Sequence, residues 1–157
     1  MAYEIRSISQ VGTSEPFELQ VARGQIPGHR FVHRMARVPQ MSNNGTGTLW
    51  DVNDTVYPWS AWDTAGVVSI ARASVSDAGK DVILVGLDAD YNEFTETVTL
   101  TAASGNTSTN LFKRIESVRM NGTSANVGDV TVTKDATVVA KMNADVGQSL
   151  MGIFTVP

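Results

Sequence analysis

The chain has 157 residues, no cysteine, and sixteen acidic against twelve basic residues, for a formal charge of -4. Those figures exclude a disulfide scaffold, a thiol nucleophile and a thiolate zinc site, and they argue against nucleic acid as a partner, because phosphate binding needs a concentrated positive field. At 42% apolar residues the chain can bury a core, yet no apolar run approaches the ~20 residues that span a bilayer, so no membrane partner is expected.

The opening MAYEIRSISQ has neither the basic start nor the apolar stretch of a secretory signal. Residues 1–60 as a whole read as an extended N-terminal arm. They hold three prolines before Pro58, the loose stretch SNNGTGT at 42–48, and five arginines (Arg6, Arg23, Arg30, Arg34 and Arg37) against five acids. A segment of this composition pairs one or two strands, such as Phe17–Arg23, but does not bury a core by itself. It either folds along the edge of the following domain or docks on another subunit.

From residue 61 onward, short valine- and threonine-rich runs alternate with clusters of Gly, Asn, Asp and Ser. That is the pattern of an all-β, antiparallel two-sheet sandwich, with jelly-roll and immunoglobulin-like strand orders equally open. Seven strands are predicted, at 67–75, 81–87, 95–101, 111–120, 130–133, 137–142 and 150–156. In FTETVTLTA the alternation puts Phe94, Glu96, Val98 and Leu100 on one face and Thr95, Thr97, Thr99 and Thr101 on the other. The candidate core is Phe94, Val98, Leu100, Ile83, Val85, Ile153 and Phe154, although the last two cannot both point inward on a regular strand. The chain stops at IFTVP, where a strand delivers a proline, and the domain is expected to continue beyond Pro157.

Chemistry-bearing patterns are few. His29 and His33 lie four apart in GHRFVHR, but Arg30 stands where a metalloprotease has its glutamate, and a third ligand is missing. No metal and no cofactor is therefore expected, and the arginines suit an interaction surface instead. The run DADYNE places Asp88, Asp90 and Asn92 at alternate positions, as a calcium loop does. Such a loop needs glycine sixth and glutamate twelfth, where this chain has Glu93 and Thr99. A turn held by Asx side chains fits better. All three tryptophans, Trp50, Trp59 and Trp62, fall within thirteen residues together with Tyr57, a cluster that suits an interface or core plug or, alternatively, a sugar-stacking platform. A glycosidase would need carboxylates such as Asp54 and Asp63 held across a cleft. No nucleophile elbow, phosphate loop or dinucleotide fingerprint occurs, so no enzyme is expected.

Several stretches together, FELQVARGQIPGHRFVHR, TLWDVNDTVYPW, VGLDADYNEFTETVTLTA and GQSLMGIFTVP, resemble a group of bacteriophage virion structural proteins common in phages of cyanobacteria and other aquatic bacteria. The most specific piece is GLDADYNEFTETVTL at 86–100. The resemblance implies a non-enzymatic component of the virion exterior, either a capsid decoration or cement protein or the base of a tail fibre. Its partners would be the major capsid protein or tail and fibre proteins, with a homo-oligomer expected and a trimer by analogy. The expected partner-binding residues are Arg23, His29, Arg30, Phe31, Arg34, Trp50, Trp59 and Trp62. The alternative is a receptor-binding fibre lectin that uses the tryptophans against host surface glycan.

Overall fold

The structure, a computed structural model, describes residues 16–29, 34–38, 48–52 and 55–153. The chain forms two compact units, Met1–His33 and Arg34–Pro157.

The described part of the first unit centres on a short helix, α1 (Phe17–Ala22), where a strand over Phe17–Arg23 was predicted. The apolar residues of FELQVA alternate as in a strand, but Glu, Leu, Gln and Ala are all good helix formers. The flanking residues decide the outcome. Pro16 immediately precedes the helix, at a position where its missing N–H costs nothing. At the other end Gly24 takes φ +69°, its N–H donates to Val21 C=O at 2.9 Å, and the Gln25 N–H donates to Gln20 C=O at 2.9 Å. This left-handed glycine closure satisfies the carbonyls of the last turn. Phe17 packs edge-on against His29 with ring centroids 5.6 Å apart.

The second unit is an all-β sandwich of two antiparallel sheets. Its strands are β1 (Ser69–Arg72), β2 (Asp81–Leu87), β3 (Glu93–Thr99), β4 (Asn106–Thr107), β5 (Arg114–Met120), β6 (Val130–Lys134) and β7 (Thr137–Met142). One sheet runs β4-β1-β6-β7 and the other β3-β2-β5. Between them lie Ile70, Val130, Val132, Ala140 and Met142 from the first sheet and Val68 just before it, against Val82, Leu84, Val98, Ile115, Val118 and Met120 from the second. Burying such aliphatic side chains contributes roughly 1.5–3 kcal/mol each before the cost of ordering the chain.

Register assigns the faces. Val82 stands opposite Val98, Leu84 opposite Glu96 and Gly86 opposite Phe94, so the predicted inward face of β3 is the real one. On β2 the inward set is Val82 and Leu84. Val85 lies on the outer face beside Thr95 and is half-buried, which corrects its assignment to the core, whereas Ile83 shares that face beside Thr97 and is buried as expected. Ile153 is buried among the core residues, and Phe154 lies outside the described residues.

Two bulges let consecutive residues turn inward. Along β5 the pairing with β2 passes from Ser117 to Ile115, leaving Glu116 as the extra residue, so Ile115 and Glu116 are both buried. Along β7 it passes from Ala140 to Val138, and Val139 and Ala140 are both buried. Gly86 sits opposite the first bulge, where a Cβ would strike the Arg114 carbonyl oxygen and the Phe112 ring. The strand predicted over 150–156 does not form within the described residues. Gln148 makes a single bridge to Arg119, and the Ser149 N–H donates to Val118 C=O at 2.7 Å.

Candidate functional site

The tryptophan-rich segment forms a cap on the sandwich. A single 3-10 turn, Trp59–Trp62, follows Pro58 and swings Trp62 into the interior while leaving Trp59 at the surface. Trp50, Tyr57 and Trp62 are almost wholly buried, whereas Trp59 is 47% exposed. Trp62 Nε1 donates to the Tyr57 hydroxyl at 2.7 Å, and Trp50 Nε1 donates to Thr55 C=O at 3.3 Å. The Tyr57 ring meets Trp50 and Trp59 edge-on, with centroids 5.1 and 4.8 Å apart, a favourable geometry for aromatic quadrupoles.

Two cations complete the cap, and neither was signalled by the sequence. The Arg114 guanidinium lies 4.9 Å from the Trp59 ring and 5.8 Å from the Trp62 ring, and Lys134 Nζ lies 5.7 Å from Trp62. Lys134 Nζ also donates to Ala61 C=O at 2.7 Å and pairs with Asp135 at 2.8 Å. Burial pushes the Tyr57 hydroxyl up to about 12, against the smaller opposite pulls of the Trp62 hydrogen bond and the Arg114 charge. Arg114 and Lys134 stand more than fifty residues from the tryptophans they face, so only tertiary pairing could reveal them.

The residues just before the cap are tied into the sandwich. Arg34 Nη2 donates to the buried Glu116 carboxylate at 2.6 Å, and Arg37 Nε donates to the buried Asp51 carboxylate at 3.2 Å. The other Asp51 oxygen accepts from Leu150 N–H at 2.8 Å. Arg37 N–H donates to Leu150 C=O, and Gly152 N–H donates to Leu49 C=O at 2.8 Å. The segment read as arm thus divides at Arg34. Residues from Arg34 on belong to the sandwich unit, and the guanidinium groups of Arg34 and Arg37 serve it internally.

The remaining candidate residues scatter. Arg23 and His29 are exposed in the first unit, with His29 Nδ1 3.2 Å from Pro27 C=O. Arg30 and Phe31 lie outside the described residues. The Asp88 turn is held as the Asx pattern implies. One Asp88 oxygen accepts from the main-chain N–H of Asp90 and of Asn92, each at 2.9 Å, and the other accepts from the Asn92 amide at 3.2 Å. The Asn92 main-chain bond is the largest of the influences that together hold this carboxyl below its ordinary range. Among the described residues no group of three or more histidines and carboxylates gathers to hold a metal ion.

At the opposite side of the fold, Asp77 is fully buried. It accepts from Lys80 Nζ at 2.8 Å, from Val127 N–H at 2.8 Å and from Gly128 N–H at 2.9 Å. Burial would raise its pKa, but Lys80 and then the Gly128 and Val127 amides outweigh burial, so the carboxyl stays below its usual range. The buried Asn126 beside it donates to Gly128 and Asn143 carbonyls at 2.7 and 2.9 Å and accepts from Gly147 N–H at 2.9 Å. These groups hold three loops together. No protein-family model, curated protein or solved structure matches the chain.

Proposed function

We infer that this chain is a non-enzymatic structural component of the exterior of a bacteriophage particle, a capsid decoration protein or fibre base held through the unit that precedes Arg34. The observation that carries the reading is where the reactive and stacking groups go. Asp51, Asp77 and Glu116 are buried and engaged by cations or main-chain amides, and two of three tryptophans are interior. The fold uses these groups to fix its own shape, as suits a part repeated many times in an assembly. The resemblance of the 86–100 stretch to phage virion proteins points the same way.

The test is particle incorporation. A chain lacking residues 1–33 should fold and keep the Arg34–Glu116 and Arg37–Asp51 pairs, yet fail to appear in purified particles examined by cryo-EM. Full occupancy of the truncated chain would move the anchor onto the sandwich, and substrate turnover abolished by one acidic substitution would overturn the reading.

One observation favours the lectin as the second reading. Trp59 is the tryptophan left exposed, with the Arg114 guanidinium beside its ring. Saturable binding on a glycan array that disappears with Trp59→Ala while the fold persists would select it. Trp62→Ala cannot serve this purpose, because that side chain is interior.

A further inference from the structure

Among the described residues, three of the four sheet edges are protected. β4 is only two residues long. The outer side of β5 carries the 147–149 segment, with Met120 N–H donating to Gly147 C=O and Ser149 N–H to Val118 C=O. β7 is bulged and carries Lys141, paired with Asp129 at 2.7 Å. Short strands, bulges and edge lysines are how sheets avoid pairing with other chains. β3 has none of these. It is seven residues long, regular in its pairing with β2, and free of proline, glycine and lysine.

The directions of its main-chain groups follow from its ends. Leu100 N–H donates to Lys80 C=O at 2.9 Å, and Asn92 C=O accepts from Asp88 N–H at 3.0 Å. Even-numbered residues therefore direct N–H and C=O toward β2, and by antiparallel alternation Thr95, Thr97 and Thr99 direct theirs outward. All three threonines are exposed. Thr101 N–H donates to Thr99 C=O at 3.0 Å, which leaves the second lone pair of that oxygen.

We propose that this edge pairs with β3 of a second copy of the chain, antiparallel about a two-fold axis at Thr97. That register sets Thr97 opposite itself and Thr95 opposite Thr99 of the partner, so outward donors meet outward acceptors in roughly six main-chain hydrogen bonds. The exposed threonines then form cross-strand pairs, a favourable combination. Charge disfavours the neighbouring register on one side. An axis at Glu96 would set that carboxylate against its own copy, and Glu96 is pinned by the main-chain N–H groups of Thr109 and Asn110 and by the Asn110 amide. The two-fold contact closes on two copies, so it is separate from any contact made through the residues before Arg34, and it does not depend on where the chain sits in a particle.

The absence of cysteine makes the test direct. Cα atoms of a hydrogen-bonded antiparallel pair lie about 5.5 Å apart, within the ~4.4–6.8 Å that a disulfide spans. With oxidised glutathione as the oxidant, Thr97→Cys should crosslink into dimers faster than Thr95→Cys or Thr99→Cys alone. A mixture of the latter two should yield the heterodimer. Thr97→Pro removes an outward N–H that the β2 ladder does not use, so it should abolish the concentration-dependent dimer seen by sedimentation while leaving the far-UV spectrum unchanged. Thr97→Lys is the second variant should the proline variant fail to fold. Equal crosslinking at all three positions, a monomeric wild type at every concentration, or a dimer that survives a folded edge variant each overturns the proposal. Particle incorporation scored on the same variants separates this contact from the anchor, since loss of pairing with retained incorporation leaves the proposed function standing.

Discussion

Replacing Tyr57 by phenylalanine deletes one oxygen from the aromatic cap. That oxygen accepts from Trp62 Nε1 at 2.7 Å, and both side chains are 1% exposed. The edge-on contacts with Trp50 and Trp59 involve the ring alone, and phenylalanine keeps them. The loss is therefore that of a desolvated indole N–H left without an acceptor, about 1–3 kcal/mol. Trp62→Phe removes the donor along with ring volume and should cost ~2–4 kcal/mol. Combining the two should cost less than their sum by about 1 kcal/mol, because the second change removes the orphan created by the first. Urea unfolding followed by tryptophan fluorescence reads these differences as midpoint shifts at constant slope. The alkaline limb supplies an independent readout. The phenol ionises near 10 in the unfolded chain and near 12 in the fold. The unfolded state therefore binds fewer protons in that window, and stability present below pH ~10 is lost as pH rises toward 12, by roughly 2–3 kcal/mol. Tyr57→Phe should flatten that slope. A midpoint equal to wild type with the slope intact would refute the account of the cap.

Asp77→Ala strands the Val127 and Gly128 amides in the interior, so a stability loss of about 2–4 kcal/mol, read as a lower unfolding midpoint, is expected, with Lys80 keeping its bond to the Ala125 carbonyl. The depressed Asp77 pKa contributes stability present above the unfolded value near 4 and lost as pH falls below it, so acid titration of wild type should show a destabilisation that Asp77→Asn lacks. Gly86→Ala should cost ~2–4 kcal/mol through collision with the Arg114 carbonyl, and thermal denaturation by circular dichroism checks it. Val98→Ala should cost about 1–3 kcal/mol by the same measurement, because the side chain lies against Val82 in the core. Extending the N-terminal deletion from residue 33 through residue 38 should convert a neutral truncation into a destabilising one, by about 3 kcal/mol or more, since Glu116 and Asp51 lose their arginines.

Local signals carried the sandwich well and its closure poorly. The bounds of β2 and β7 match the predicted 81–87 and 137–142, because turn formers flank a β-branched run on both sides. The inward face of β3 was legible from plain alternation. On β2 nearly every side chain is apolar, so alternation could not choose a face, and Val85 was misplaced. β4 escaped notice because a two-residue strand has no period. Helix α1 was misread since six residues can satisfy period 2 while their caps impose a helix. The cap was half legible: the tryptophans cluster in sequence, but the cations that face them do not. The ties of Arg34 to Glu116 and of Arg37 to Asp51 were invisible in composition, and the compact unit that holds the sandwich begins at Arg34.

The bond from Leu150 to Asp51 spans ninety-nine residues, and that separation sets an order of events during synthesis. Translation at ~5–20 residues per second puts on the order of 5–20 s between the two partners. Throughout that interval the Asp51 carboxylate lacks its Leu150 donor, and the adjoining Trp50 segment has no Gly152 beside it to fix its path. The cap is therefore among the last parts to close, long after β2 and β3 have met across a short turn. During the same interval the nascent chain already carries a completed β3 with its outer edge available. Dense polysomes would bring such edges from neighbouring nascent chains together before either sandwich is sealed, and slowing elongation between codons 100 and 150 should raise the fraction of chains lost to aggregation.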